Sequence, residues 1–189
     1  MTQGYEDIAD RLQRSGRGLG EEERRFETKQ VEAQPFVGIR TNATMDKLPE
    51  IMGSLFGEVY GYIQQNGQTP AGMPFSRYHS MDGNAVDMEC GMPVASAMEG
   101  KDRVQAGELP AGTVAAVTHM GPYEGLSKTW MALTGWMESQ GLQPAGAPWE
   151  VYVTDPGAEP DQSKWRTDIF WELYTCVPKS LAKPLTSYR

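Results

Sequence analysis

The sequence predicts an α+β domain made of two tandem, pseudo-symmetric β-α-β-β repeats that form one antiparallel sheet. Three observations support this fold class: a recurring pattern of Gly, Pro and Tyr, an amphipathic helix in each half, and a strand pair after each helix. The recurring set is Gly67, Pro70, Pro74 and Tyr78, which return 74 residues later as Gly141, Pro144, Pro148 and Tyr152. Two such units most simply place both helices on one face of the sheet, with a ligand cleft on the other.

The first half begins with a short apolar strand over 37–41 and continues into a helix. We expect Asp46 to cap this helix and Gly67 to end it. Its apolar positions follow the steps of three and four that mark an amphipathic helix: Leu48, Ile51, Met52, Leu55, Phe56, Val59, Tyr60 and Ile63. A hairpin then covers 74–94, with 82–83 as its turn.

The second half repeats this order of elements. A strand segment over 104–117 leads to Gly121-Pro122, which is a start signal for a helix. Helical spacing continues through Leu126, Trp130, Leu133 and Met137. Gly141 ends the helix, and strands over 149–154 and 164–174 form the second hairpin.

The repeat also sets the domain boundaries that we expect. Residues 1–25 form an N-terminal extension, partly flexible because Arg and Gly are concentrated over 11–18. Residues 26–176 form the domain, whose halves cover about 26–95 and 104–175, and 177–189 form a C-terminal tail. Because the extension is too short for a helix-turn-helix unit, we expect a stand-alone domain.

The charge balance and the rarity of metal ligands argue against several classes of function. The chain has 17 Lys and Arg against 25 Asp and Glu, a formal net charge of −8. Proteins that bind phosphate backbones usually carry a basic field, so we expect no direct contact with nucleic acid. Two Cys and two His are too few for an obvious zinc site, and we expect no metal and no cofactor. With neither a long apolar run nor a secretory leader, we expect no membrane contact and a cytoplasmic location.

Alternation along the predicted strands sorts acids and aromatic rings onto one surface. If the Val, Ile and Trp side chains of the second hairpin cover the helix, the remaining face carries Glu150, Tyr152, Asp168 and Phe170. The corresponding face of the first hairpin carries Ser76, Tyr78, Asp87 and Glu89. Aromatic rings attract cations by roughly 0.5–2 kcal/mol per contact, and a carboxylate in an apolar groove favours a cationic partner. This pattern predicts a groove for lipophilic cations or for neutral aromatic molecules.

Other interpretations of these side chains stay open. A carboxylic acid in an apolar pocket can act as a general acid or base, so Glu150 and Asp168, with Tyr152, are candidate catalytic residues. Acids on a two-sided sheet are often simply a solvated face. Arg40, Arg77 and Arg166 could also pair with these acids locally, which would limit any role in ligand binding.

Several motifs resemble those of a known family. They are Gly121-Pro122-Tyr123-Glu124 with Trp130, the run Pro148-Trp149-Glu150-Val151-Tyr152, and Trp165-Arg166-Thr167-Asp168-Ile169. Together they resemble the GyrI-like small-molecule-binding family, the effector-binding domain of bacterial multidrug-responsive transcription activators, over about 26–173. The resemblance implies a SOUL-like tandem fold with a central cleft for aromatic, often cationic compounds. It also implies a ligand-facing acid at Asp168, where Glu is usual, and adds Tyr123 and Trp130 to the ligand-binding set.

The resemblance implies three functions. Our leading interpretation is stand-alone binding of lipophilic, aromatic or cationic small molecules, for sensing or sequestering drugs or toxins. The first alternative is a hydrolase that opens strained rings of cytotoxic natural products with a cleft carboxylate as general acid or base. The second is a modulator of a protein partner, similar to a gyrase inhibitor, so a protein partner stays open.

Overall fold

The computed structural model describes residues 25–174. The expected N-terminal extension, except residue 25, and the expected C-terminal tail lie outside the described residues. The described chain forms one eight-stranded antiparallel sheet with two α-helices on one face, which confirms the predicted fold class. The strands are β1 (Glu27–Val31), β2 (Gln34–Thr44), β3 (Phe75–Asp82), β4 (Ala85–Pro93), β5 (Gln105–Leu109), β6 (Gly112–Met120), β7 (Trp149–Tyr152) and β8 (Arg166–Glu172). The helices are α1 (Leu48–Gln65) and α2 (Leu126–Ser139).

Each helix packs its apolar stripe on the strands of its own half. In α1, Leu55, Val59 and Ile63 are buried at steps of four and pack against side chains of β2 and β4. In α2, Leu133 and Met137 are buried against β6 and β8. These two apolar clusters hold both helices on the same side of the sheet.

Helix α1 starts later than the sequence predicted. A short 3₁₀ helix over Met45–Lys47 comes first, and the N-cap residue of α1 is Lys47, without a side-chain cap. The prediction that Asp46 is the cap is therefore wrong, because the 3₁₀ turn includes that residue. Gly67 follows the end of α1 with φ of 72°, the left-handed conformation that favours Gly after a helix.

Each half begins with one strand, β1 or β5, that the sequence did not predict separately. Each of these two strands pairs with a strand of the other half. β1 pairs with β6 of the second half, and β5 pairs with β2 of the first half. The resulting order is β1-β6-β8-β7-β3-β4-β2-β5. The short connections 32–33 and 110–111 therefore join strands on opposite sides of the sheet, which requires the sheet to curl.

The curl buries a second core on the face without helices. Phe36, Phe75 and Trp149 are almost fully buried and pack with Leu109 and Val114. The rings of Phe36 and Phe75 meet edge to face, with 4.9 Å between their centroids. This face is therefore a filled aromatic core at its centre rather than an open groove.

The two halves meet where β3 pairs with β7. In this pairing Ser76 of β3 lies opposite Glu150 of β7. On its other side β7 pairs with β8, where Ile169 lies opposite Glu150. Residues that are directly paired in an antiparallel sheet point to the same face. Ile169 belongs to the cluster beneath α2, so Ser76 and Glu150 point towards the helices as well.

Candidate functional site

A cleft of about 1380 Å³ lies between α1 and α2, above the centre of the sheet. The sheet contributes Tyr78, Glu150, Tyr152 and Trp171, and the helices contribute Met52, Phe56, Leu126 and Trp130. The cleft thus opens on the face that carries the helices, whereas the sequence analysis placed it on the opposite face. The reason is that the curled sheet fills the opposite face with its own aromatic core, while the space between the helices stays open.

The walls of the cleft follow the internal repeat. Tyr78 and Tyr152 are equivalent positions of the two halves, and so are Phe56 and Trp130. Each helix ring packs edge-on against the tyrosine of the other half, at 5.8 Å between the centroids of Phe56 and Tyr152 and 6.3 Å for Trp130 and Tyr78. The cleft is therefore lined by aromatic rings with approximate two-fold symmetry.

Glu150 breaks this symmetry, because its equivalent in the first half is Ser76. Its side chain is buried, with 3% of the residue exposed. Trp130 Nε1 donates a hydrogen bond to Oε1 at 2.5 Å, and the hydroxyls of Tyr78 and Tyr152 each donate to Oε2 at 2.9 Å. Among the described residues, no Lys, Arg or His forms a salt bridge with Glu150. A carboxylate held in this way by neutral donors is a group that a cation in the cleft can complement.

The two tyrosines are permanent donors to Glu150 at neutral pH. Burial raises the pKa of Tyr78 well above its usual value, and the negative charge of Glu150 raises it further. Burial also raises the pKa of Tyr152, with additional contributions from Tyr78 and Glu150. Both phenols therefore keep their protons, and their hydrogen bonds fix the orientation of the carboxylate.

Tyr123 extends the aromatic wall towards the mouth of the cleft. Its ring lies 5.8 Å from that of Tyr152 and 5.0 Å from that of Trp165, measured between centroids. The residue is partly exposed, at 36%. It therefore offers a ring surface to solvent and to an entering ligand.

Five of the eight predicted ligand-binding residues line the cleft: Tyr78, Tyr123, Trp130, Glu150 and Tyr152. The other three, Glu89, Asp168 and Phe170, lie on the opposite face of the sheet. The prediction that all of them share one surface is wrong, because alternation along a strand does not say which face meets the helix. In the observed register Asp168 lies opposite Val151 and Phe170 lies opposite Trp149. Both partners belong to the second core or pack against it.

The three displaced residues already have partners within the protein. Arg166 donates two hydrogen bonds to Asp168, at 2.9 and 2.8 Å, and Thr118 donates a third at 2.7 Å. Glu89 lies 3.3 Å from Nε2 of His79. The ammonium group of Lys29 lies over the ring of Phe170, 4.5 Å from its centroid. The alternative that an arginine pairs locally with a predicted acid thus holds for Asp168.

Sequence reasoning missed several side chains of the cleft. Phe56 and Trp171 line it, and so do the exposed methionines Met45, Met73, Met81 and Met131. Phe56 could have been found, because it is the repeat equivalent of Trp130. The methionines carry no such signal, since their exposure depends on the gap between the two helices. Their flexible thioether side chains suit a cleft that accommodates ligands of different shapes.

The described residues lack two features, a cluster of metal ligands and a membrane-spanning helix. Within residues 25–174, no group of three or more His, Cys, Asp and Glu side chains is arranged to hold a metal ion. No α-helix in the same range has the length and apolar character needed to cross a membrane.

The fold is similar to that of EcmrR, a protein solved in complex with DNA. The chain is 20% identical to EcmrR in that complex, with a TM-score of 0.73, covering 89% of this chain and 64% of the EcmrR chain. It therefore spans less than two thirds of that EcmrR chain. The C-terminal domain of EcmrR alone matches with 21% identity and a TM-score of 0.67, covering 80% of this chain and 98% of that domain.

Two other solved structures share the fold at lower identity. SAV2435 bound to tetraphenylphosphonium is 8% identical, with a TM-score of 0.57 and coverage of 80% of this chain and 94% of SAV2435. A hydrolase from Listeria innocua is 15% identical, also with a TM-score of 0.57, and 86% of this chain and 98% of the hydrolase are covered. At these identities the likeness concerns the fold alone. Among curated proteins, none matches this sequence significantly.

The family is established by a sequence match that covers most of the chain. A family model described as the GyrI-like small molecule binding domain matches residues 25–173. This match agrees with the motifs around Tyr123, Glu150 and Asp168 and with the tandem fold. The chain therefore belongs to the family of GyrI-like small molecule binding domains.

Proposed function

We propose that this domain binds lipophilic aromatic cations in the cleft between α1 and α2, and that it serves to sense or sequester drug-like or toxic molecules. The proposal depends mainly on one observation, the buried carboxylate of Glu150 with three neutral donors and no salt bridge in the described chain. A cationic guest supplies the charge that this site lacks.

The surroundings of Glu150 suit the rest of such a ligand. Rings of Tyr78, Tyr152 and Trp130 lie next to the carboxylate, so a cation can contact both a formal negative charge and aromatic faces. The cleft is large enough for a drug-sized molecule. The exposed methionines at its mouth supply apolar surface that can adapt to different ligands.

The comparisons with known proteins support the same proposal. The family is described as one that binds small molecules. SAV2435, which shares the fold, was solved with a lipophilic phosphonium cation.

Calorimetric titration with a pair of ions of equal shape and opposite charge tests the proposal. We expect tetraphenylphosphonium to bind, because its four rings match the apolar lining and its charge complements Glu150. Tetraphenylborate has nearly the same shape, and we expect no binding because its negative charge meets that of the carboxylate. Equal binding of both ions would disprove the electrostatic argument, and a lack of binding by a broad panel of aromatic cations would disprove the proposal itself.

A hydrolase is the second candidate, favoured by the 2.9 Å contacts of two phenol hydroxyls with the cleft carboxylate. In that function Glu150 would take a proton from the water that attacks a strained ring. Its Oε2 already accepts two hydrogen bonds and Oε1 accepts one, which leaves a single acceptor position, on Oε1, for a water molecule. The full hydrogen bonding of Oε2 places this candidate second. Incubation of excess protein with a cyclopropane-containing natural product separates the two functions. Ring opening that is lost in Glu150→Gln would establish hydrolysis, and an unchanged substrate would count against it.

The third alternative, a modulator of a protein partner, expects a filled or flat groove. An open cleft of about 1380 Å³ gives it no support.

A further inference from the structure

The charged residues that line the cleft are almost all acidic. Besides Glu150, the lining contains Glu124 and Asp155 at the mouth, together with His79. No Lys or Arg is among the described residues that line it. The cleft therefore carries a second concentration of negative charge, apart from the buried one.

Both mouth acids are accessible to a ligand. Glu124 and Asp155 are exposed, and neither forms a salt bridge with a described residue. Asp155 accepts one hydrogen bond from the backbone N–H of Gly157 at 2.8 Å, which fixes its position without neutralising its charge.

An aromatic wall connects the buried acid to the mouth acids. Tyr152 donates a hydrogen bond to Glu150, and its ring packs edge-on against Tyr123. Tyr123 is next to Glu124 in sequence, and its pKa is raised by burial and then by the charges of Glu150 and Asp155. Tyr123 thus lies between the tyrosine that contacts Glu150 and the acids at the mouth.

The negative charge is confined to one half of the pseudo-symmetric cleft. The repeat equivalent of Asp155 is Met81, just as the equivalent of Glu150 is Ser76. The first half instead contributes the exposed apolar side chains of Met45, Met73 and Met81 to the lining. This asymmetry implies a ligand with two polar, positive positions along one side and an apolar body facing the other.

We propose that the preferred ligands of this cleft are elongated aromatic dications. One cationic group lies above Glu150, the aromatic body follows Tyr152 and Tyr123, and the second cationic group lies between Glu124 and Asp155. The inference rests on the proposed function, and it adds a charge state and a minimum length to the ligand class.

The test compares two ligands that differ only in the second charge. The dication is a linear bis-benzamidine with a flexible alkyl linker, and the monocation carries a neutral carboxamide in place of one amidinium group. We expect the dication to bind about 1.5- to 5-fold more tightly, which corresponds to the range for one ion pair at an exposed site. The difference should shrink at high ionic strength, because the mouth acids are exposed to screening.

Two double variants test whether the acids at the mouth cause the higher affinity for the dication. In Glu124→Gln with Asp155→Asn, we expect the dication to bind no better than the monocation, with the affinity for the monocation unchanged. The matched control, Glu108→Gln with Glu138→Gln, removes two exposed acids outside the cleft lining and should keep the full difference. This control separates local contacts at the mouth from the change in net charge.

The outcomes distinguish this inference from the proposed function. If both ligands bind wild type equally and both weaken in Glu150→Gln, the dication inference is refuted while the proposed function stands. An equal loss in the control variant would also refute it, since the effect would then come from net charge. If neither benzamidine ligand nor tetraphenylphosphonium binds, both the inference and the proposed function fail.

Discussion

Replacing Glu150 by Gln removes the central charge of the cleft and keeps the size of the side chain. The amide can be accommodated, because its oxygen can accept from Nε1 of Trp130 while its NH₂ group donates to the hydroxyl oxygen of Tyr78 or Tyr152. The hydroxyl groups rotate to suit this arrangement. We therefore expect the variant to fold with the cleft intact.

The expected loss of affinity follows from the distance between the charges. A cation seated against the tyrosine rings lies about 5–6 Å from the carboxylate, which at an effective dielectric of about 20 corresponds to about 3 kcal/mol. This free energy amounts to roughly two orders of magnitude in Kd. A neutral ligand of similar shape lacks this interaction, so its Kd should change little.

Calorimetry with tetraphenylphosphonium and neutral triphenylphosphine oxide measures both effects. Asp168→Asn is the matched control, because that acid lies on the opposite face and is paired with Arg166. Its affinity for tetraphenylphosphonium should equal that of wild type. The reasoning is refuted if Glu150→Gln binds the phosphonium as tightly as wild type does, or if Asp168→Asn loses as much affinity.

Two predictions concern stability. Because burial raises the pKa of Tyr78 and Tyr152 in the folded state, the unfolded state releases these protons first. The contribution of the two protonated tyrosines to the free energy of unfolding is complete below the unfolded-state pKa of about 10. Above that pH it falls by up to about 1.4 kcal/mol per pH unit for each tyrosine, until the raised folded-state pKa is reached. Denaturant titrations from about pH 9 to about pH 12, on either side of that pKa, should show a smaller loss of stability with rising pH when both tyrosines are replaced by Phe. An unchanged dependence on pH would contradict this. Separately, Gly91→Ala places a methyl group 2.6 Å from Cζ of Phe75 and should lower the free energy of unfolding by about 1–3 kcal/mol. The control Gly57→Ala, with no atom near the added methyl group, should raise it by about 0.5–1 kcal/mol, and equal midpoints for the two variants would contradict the packing argument.

Much of the fold was accessible from the sequence because its signals are local. The stripe of Leu55, Val59 and Ile63 has the period of a helix, and Gly67 has the conformational freedom that a helix end uses. The recurrence at 74 residues relates the two halves by sequence alone. Strand β1 escaped prediction because its sequence is largely polar and it lies at the edge of the sheet.

The site was only partly predictable, because its location depends on pairing between distant strands. Alternation correctly placed Glu150 and Tyr152 on one face of β7. The assumption that Trp149 and Val151 face the helix failed, since the curled sheet provides a second apolar core for them. A large apolar side chain identifies a buried face, but it does not identify which of two cores buries it.

The exchange of β1 and β5 between the halves makes folding a joint event. Unfolding of either half strips an edge strand from the other, so the halves share one cooperative transition. The pairing also brings together distant parts of the chain: the side chain of Gln30 donates to Thr113, 83 positions away. Such non-local contacts slow folding relative to a helical bundle, because the entropy of loop closure is lost before they form. A cut between the halves, over 95–104, would leave each fragment with an unpaired sheet edge.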